Sequence, residues 1–218
     1  MGRSIPRGFF IFITLIVALG AAVLITHAWR PHENATAFAI HTPNGIGEAG
    51  LVKIGGIDQW VQIRGDDRSN PVILIVHGGL GISMIPMTAI FRPWEKYFTI
   101  VQWDQRGSGK TYGHGGEAGQ GAMTIARMTK DGIELTQYLR AHLHKNRVVV
   151  LGHSWGTVLA TLMVKQRPDL FSAYVGAGEL VDKRMNEMAV YARLMDKLRA
   201  AHDEDAIADL SKVGAVAL

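Results

Sequence analysis

Short apolar runs separated by polar stretches set the rhythm of this chain. Val72–Val76 (VILIV) contains no polar residue, which suits a strand buried on both faces of a parallel sheet. Phe98–Trp103 and Arg147–Leu151 repeat the pattern, and Ser172–Val175 is a weaker version of it. Leu51–Ile54 and Gln59–Ile63 predict a short hairpin ahead of them. Between these runs lie helical patterns. Thr124–Leu143 places apolar residues at Ile125, Met128, Ile133, Leu135 and Leu139, with Thr124 as the N-cap. Gly156–Gln166 is apolar nearly all round and stops before Pro168, as a buried helix should. Strand, helix, strand, helix predicts right-handed crossovers, hence an α/β fold whose mostly parallel sheet carries helices on both faces. Lys183–Ala201 is Met-rich, amphipathic and unbroken, and is expected to open an insertion rather than the next crossover.

The N-terminus follows another rule. Phe9–Thr26 is an uncharged stretch of 18 residues, just long enough as a helix to cross a hydrocarbon core of about 30 Å. Arg3 and Arg7 precede it, which predicts a transmembrane anchor with its N-terminus in the cytoplasm and the remainder outside. A cleaved signal, leaving a secreted or periplasmic domain, and a buried hydrophobic helix are the alternatives. The expected division is therefore an anchor or signal over 1–28, a linker over 29–48, an α/β core over 49–182, and an inserted helical region from 183 to 218. Asn34-Ala35-Thr36 in the linker fits a glycosylation sequon.

Composition removes several classes of function. The chain of 218 residues is 48% hydrophobic and 19% charged, enough apolar material for one core. Its net charge of +4 includes no Lys/Arg run, so nucleic acid is not an expected partner. There is no cysteine, which excludes disulfides, thiolate catalysis and Cys-based zinc sites. No histidine–acid spacing suggests a metal, and no cofactor is expected. His142 and His144 stand two apart at a helix end and do not share a face.

Chemistry concentrates at three places. Gly152-His153-Ser154-Trp155-Gly156 fits the G-x-S-x-G elbow, between a strand and a hydrophobic helix. A serine there sits in a strained turn, side chains two residues either side would collide with neighbouring structure, and the helix aims its positive end at any charge forming near Ser154. A turn with an incidental serine is the plain alternative. His77-Gly78-Gly79-Leu80-Gly81 follows the VILIV strand, where Gly78 or Gly79 could join the Trp155 N–H in an oxyanion hole. His77 is expected to orient that loop through backbone hydrogen bonds. Asp104-Gln105-Arg106-Gly107-Ser108-Gly109-Lys110-Thr111 ends like a phosphate-binding loop, but Asp104 occupies the first glycine position. The glycines that follow predict no helix start there, so the segment is read as an ordered loop pinned by Asp104 and Arg106.

In order, HGGLG, DQRGSGK and GHSWG resemble the proline iminopeptidase-like branch of the α/β-hydrolases, over about Gly45 to Asp182. The resemblance implies that Ser154 attacks an acyl carbon, with Gly78 or Gly79 and Trp155 as oxyanion donors. Leu80, where that branch usually has Pro, and His153, where its peptidases often have Gly, depart from the pattern. The resemblance further implies a helical cap, then a strand with the triad acid and a loop with the histidine. After Ser154 the only histidine is His202, expected inside a cap helix and poorly placed as a base. Glu179 and Asp182 are candidates for the acid, against the plainer reading that they begin the cap. The chain is accordingly expected to stop within the cap and, alone, to lack a working triad. The expected whole is a membrane-tethered serine hydrolase acting on peptide, amide or ester bonds in small molecules or short peptides. The alternative is an inactive, tethered binding module.

Overall fold

A computed structural model describes residues 18–20, 38–79 and 81–214. The expected anchor, apart from 18–20, lies outside the described residues, as do the sequon, Leu80 and the first part of the expected linker, 29–37. No helix among the described residues is long and apolar enough to cross a membrane.

The described chain builds one six-stranded sheet in the order β1-β2-β4-β3-β5-β6. Strands β1 (Ile46–Ile54) and β2 (Ile57–Gly65) form an antiparallel hairpin, β1 starting earlier than its apolar run and β2 extending past its own at both ends. β1 opens inside the stretch expected to be linker, because Ile46 is buried in the core opposite Gly65. β2 pairs antiparallel with β4 (Thr99–Trp103). The other pairings, β4 with β3 (Val72–Val76), β3 with β5 (Val148–His153) and β5 with β6 (Phe171–Ala177), are parallel.

The unbroken VILIV run has a simple cause. Leu74 and Val76 face one side of the sheet and Ile73 and Ile75 the other, since successive strand side chains alternate. Both faces are covered. On the first, α3 (Ile125–His142) supplies Met128, Leu135 and Leu139, and α4 (Trp155–Gln166) supplies Leu159 and Met163. On the second, Phe91 of the one-turn helix α1 (Thr88–Phe91) packs on Ile73, Ile75 and Ile100. Thr124 caps α3, its hydroxyl accepting from the Arg127 N–H at 3.1 Å.

Beyond β6 the chain enters α5 (Lys183–Ala200) and α6 (Glu204–Val213). The apolar positions of α5 are not laid against the sheet. Met195 is its single buried residue, while Met185, Met188, Val190 and Leu194 are exposed. The apolar residues of α5 are spread round the helix rather than gathered on the single face that amphipathicity would require, and it packs on α6. His202 lies in the turn between these helices at φ 52°, not inside one.

Candidate active site

Ser154 occupies the single residue between β5 and α4, with φ 51° and ψ −121°. A left-handed φ is uncommon for any residue with a side chain and costs roughly 1–3 kcal/mol, so the surroundings must hold it. They do so from both sides. A Cβ on Gly156 would be driven into the Val76 carbonyl oxygen, and one on Gly152 would lie 2.7 Å from Thr157 Cα. Both clashes are with backbone, which cannot step aside. The tight crossing of helix over strand therefore exists only with glycine at each place. The Ser154 N–H donates to the Ala177 carbonyl at 2.8 Å, tying the turn to the end of β6.

Thr157 reinforces the turn in a way the sequence did not suggest. Its hydroxyl donates to the Ser154 carbonyl at 2.6 Å and accepts from the Leu180 N–H at 3.1 Å. One buried side chain thus ties the elbow to the segment after β6. A hydroxyl three residues into a helix was the available signal, but its partner Leu180 is distant in sequence. The Ser154 side chain makes no capping bond to α4, and no acidic residue stands in the first turn of that helix. Its hydroxyl lies half-buried at the positive end of a helix.

The glycine loop after β3 meets this turn directly. A Cβ on Gly78 would be 2.8 Å from Ser154 Cβ and 2.7 Å from the His153 carbonyl oxygen. Gly79 adopts φ +60°, which bends the loop immediately afterwards. Trp155 is the first residue of α4, so its N–H has no intrahelical acceptor. Gly78 and the residues flanking Ser154 are thereby brought together.

His77 is buried beneath the loop. Its Nδ1 is 3.0 Å from the Gly78 carbonyl oxygen, so this nitrogen carries the proton. Nε2 then accepts from the Gln105 N–H at 3.2 Å and faces the Ser108 hydroxyl at 3.2 Å. Burial pushes the ring's pKa down, against the Gly78 bond and the charge of Asp104. A neutral imidazole joining two loops orients the backbone, and both its nitrogens are engaged.

The second loop, after β4, is ordered but not as expected in one respect. A helix, α2 (Gly109–Gly115), does begin there despite its glycines. Its N-terminus is occupied from within. The Asp104 carboxylate accepts from the Lys110 N–H at 2.8 Å, and the Thr111 hydroxyl donates to the Asp104 carbonyl at 2.6 Å. Asp104 thus fills the place a phosphate would take, and Gly109 leaves room for it. Arg106 pairs with Asp131 of α3 and donates at 2.5 Å to the Gly55 carbonyl in the β1–β2 turn and to the Gln120 carbonyl. Asp131 also accepts from Arg127 at 2.8 Å and from Gln59 at 3.1 Å.

The two candidate acids separate. Asp182 caps α5, its carboxylate accepting from the Met185 N–H at 2.9 Å, which is a structural role. Glu179 lies at the end of β6 on an open cleft of about 540 Å³ with Leu180, Val181 and Met185. It accepts the Tyr174 hydroxyl at 2.8 Å, and burial together with that carboxylate raises the Tyr174 pKa. Among the described residues no histidine is bonded to either acid or to Ser154. His142 instead meets Glu48 at 2.6 Å.

Residues 71–213 match the alpha/beta hydrolase fold. The chain belongs to that family. Within the α/β-hydrolases its likeness is to the proline iminopeptidase-like branch. It is 39% identical over 146 residues to a probable aminopeptidase, YbaC, of Bacillus subtilis, covering 66% of this chain and 45% of the relative. It is 30% identical over 161 residues to a proline iminopeptidase of Arabidopsis thaliana, covering 72% and 40%. This α/β-hydrolase chain thus spans less than half the length of these curated relatives. Among solved structures, a proline iminopeptidase-related protein of Thermus thermophilus shares the fold, with a TM-score of 0.53 at 22% identity, covering 69% of this chain and 50% of that one.

Proposed function

We propose that this α/β-hydrolase is a serine hydrolase that cleaves peptide, amide or ester bonds through an acyl-enzyme on Ser154. The observation that carries the reading is the turn at residue 154: a left-handed, side-chain-bearing residue between strand and helix, with glycines enforced on both sides. That backbone lifts a hydroxyl free of the helix and sets it against the Gly78 loop. Once a histidine base takes its proton, Ser154 Oγ attacks the acyl carbon. The carbonyl oxygen becomes an oxyanion, with the Trp155 N–H and those of Gly78 or Gly79 as its donors. Each donor contributes about 3 kcal/mol to the barrier reduction in such sites. The amine or alcohol leaves with the base's proton, and water, deprotonated by the same base, releases the acid.

Aminopeptidase names among the relatives favour short peptides with a free amino terminus over esters. Glu179 remains the better-placed acid candidate, because Asp182 is already committed to a helix end. The uncharged run at 9–26, with Arg3 and Arg7 before it, supports a membrane-anchored protein whose catalytic domain lies outside the cytoplasm. Cleavage of that segment would give a secreted or periplasmic form.

The decisive experiment uses protein expressed from its whole reading frame. A fluorophosphonate should label it, and Ser154→Ala should abolish the label while leaving the thermal unfolding curve in place. A folded protein that is never labelled removes the serine mechanism and leaves the tethered binding module.

A further inference from the structure

The connection between β3 and β4 is apolar on the side away from the core as well as toward it. Its residues Ile85–Trp94 run through a 3-10 turn, α1 and a second 3-10 turn, and Phe91 points inward to Ile73, Ile75 and Ile100. Met87, Ile90, Trp94 and Tyr97 all remain exposed, Ile90 at 63% and Tyr97 at 60%. They are spaced by three, four and three residues, so on a helical backbone each neighbours the next. Four large apolar side chains exposed along one short connection call for a partner.

The charge around this patch is one-sided. The only acid between residues 82 and 97 is Glu95, whose side chain is 1% exposed and held by Arg64 and Arg92. Asp66, which also faces Arg92, is paired with it at 3.1 Å. The exposed cation is Lys96, whose Nζ stands 5.4 Å over the Tyr97 ring. Tryptophan, tyrosine and lysine flanking aliphatic side chains, with no free carboxylate, is the composition that settles at a membrane–water boundary.

The chain also enters the domain at this place. Phe38 lines the same groove as Ile85, Pro86 and Ala89, and its carbonyl accepts from Arg64. Between Thr26, the end of the uncharged run, and Phe38 there are 11 residues, whose fully extended reach is about 40 Å. A bilayer holding residues 9–26 would lie within that distance of the patch.

We propose that Met87, Ile90, Trp94 and Tyr97 form a docking surface that rests on the lipid bilayer, fixing the domain against the membrane. The proposal rests on the anchored reading of residues 9–26. A rigid placement of this kind would hold Ser154 in one orientation relative to the lipid.

The chain has no cysteine, so single cysteines can report on each face. Ile90→Cys and Tyr97→Cys probe the patch. Lys130→Cys, on the exposed side of α3 across the sheet, is the control. Each full-length variant, carrying an environment-sensitive fluorophore, is reconstituted in phosphatidylglycerol–phosphatidylcholine vesicles. Some of the lipids bear a nitroxide near the headgroup end of the acyl chain. The expected result is several-fold stronger quenching at positions 90 and 97 than at 130, and stronger on anionic than on zwitterionic vesicles. Two outcomes overturn the proposal. One is equal, water-like emission at all three positions. The other is a blue-shifted label at 90 and 97 that lipid nitroxides do not quench, which would mean that a protein surface covers the patch. Alkaline carbonate extraction tests the anchor separately. Protein that resists extraction but stays unquenched sinks the docking surface alone. Protein that is quenched yet extracted keeps the docking surface and sinks the anchor.

Discussion

At residue 154 the backbone carries more information than the side chain. Serine is a common residue, and its hydroxyl gains significance here because φ 51° holds it clear of both the strand ladder and the helix. Such a conformation persists only when its neighbours leave no alternative, and Gly156 is the neighbour with the least room. A methyl group there meets the Val76 carbonyl, a strand atom in the centre of the sheet. Gly156→Ala is therefore expected to destabilise the fold by about 3 kcal/mol or more, the scale of severe overpacking. Equilibrium urea denaturation measures this, and a loss of less than about 1 kcal/mol would show that the crossing can relax. His77 illustrates a related point. Expected from the sequence to orient its loop, it has its two nitrogens bound to the Gly78 carbonyl and the Gln105 N–H, which makes it a brace.

At the scale of elements, the loop after β4 joins pieces that the chain keeps far apart. Arg106 reaches the hairpin turn at Gly55, the loop at Gln120 and the helix α3 at Asp131. The Arg106 and Asp131 side chains are 2% and 0% exposed. A buried pair of this sort adds little over a well-packed apolar pair, yet removing one partner strands the other charge without solvent. Arg106→Leu should cost about 3–5 kcal/mol by that argument, lowered somewhat because Arg127 still bonds Asp131. Restoring apolar symmetry with Arg106→Leu and Asp131→Leu together should recover part of the loss. A non-additive double-mutant cycle in thermal or urea unfolding is the expected signature.

At the scale of the whole molecule, the sheet order puts an antiparallel hairpin at one edge and β6 at the other. The hairpin edge is fastened to α3 by Glu48, which meets His142 at 2.6 Å and Arg68 at 2.7 Å. Burial pushes the Glu48 pKa up, but the bonds and charges of His142 and Arg68 outweigh it and hold the carboxyl below its ordinary value. The sign follows from that depression. The ionised form is favoured in the folded state, so the contribution is present above the unfolded pKa of about 4.3 and fades as pH falls below it. Glu48→Gln should flatten the fall in thermal stability between about pH 5 and pH 3 relative to the unaltered chain. Near neutral pH the difference should be small, because the carboxylate is partly exposed and screened. Identical slopes in the acid range would remove Glu48 from the account.

The apolar runs, with no further help, determined that strands alternate with helices, that β3 is buried on both faces, and, to within a residue, where α3 and α4 begin and end. Local rules suffice there, because alternation along a strand and capping by Thr124 need only near neighbours. The elbow was legible for the same reason: its glycines stand two residues from Ser154. What the sequence could not supply were contacts between residues far apart in it. The extension of β1 back to Ile46 depends on a partner strand. The helix at Gly109–Gly115 depends on Asp104 filling its N-terminus. The separation of Glu179 from Asp182 depends on which one the first turn of α5 captures. Thr157 was overlooked because Leu180, whose N–H its hydroxyl accepts, comes 23 residues later. In each case the chain offers a polar group or an apolar face, and tertiary packing decides what it meets.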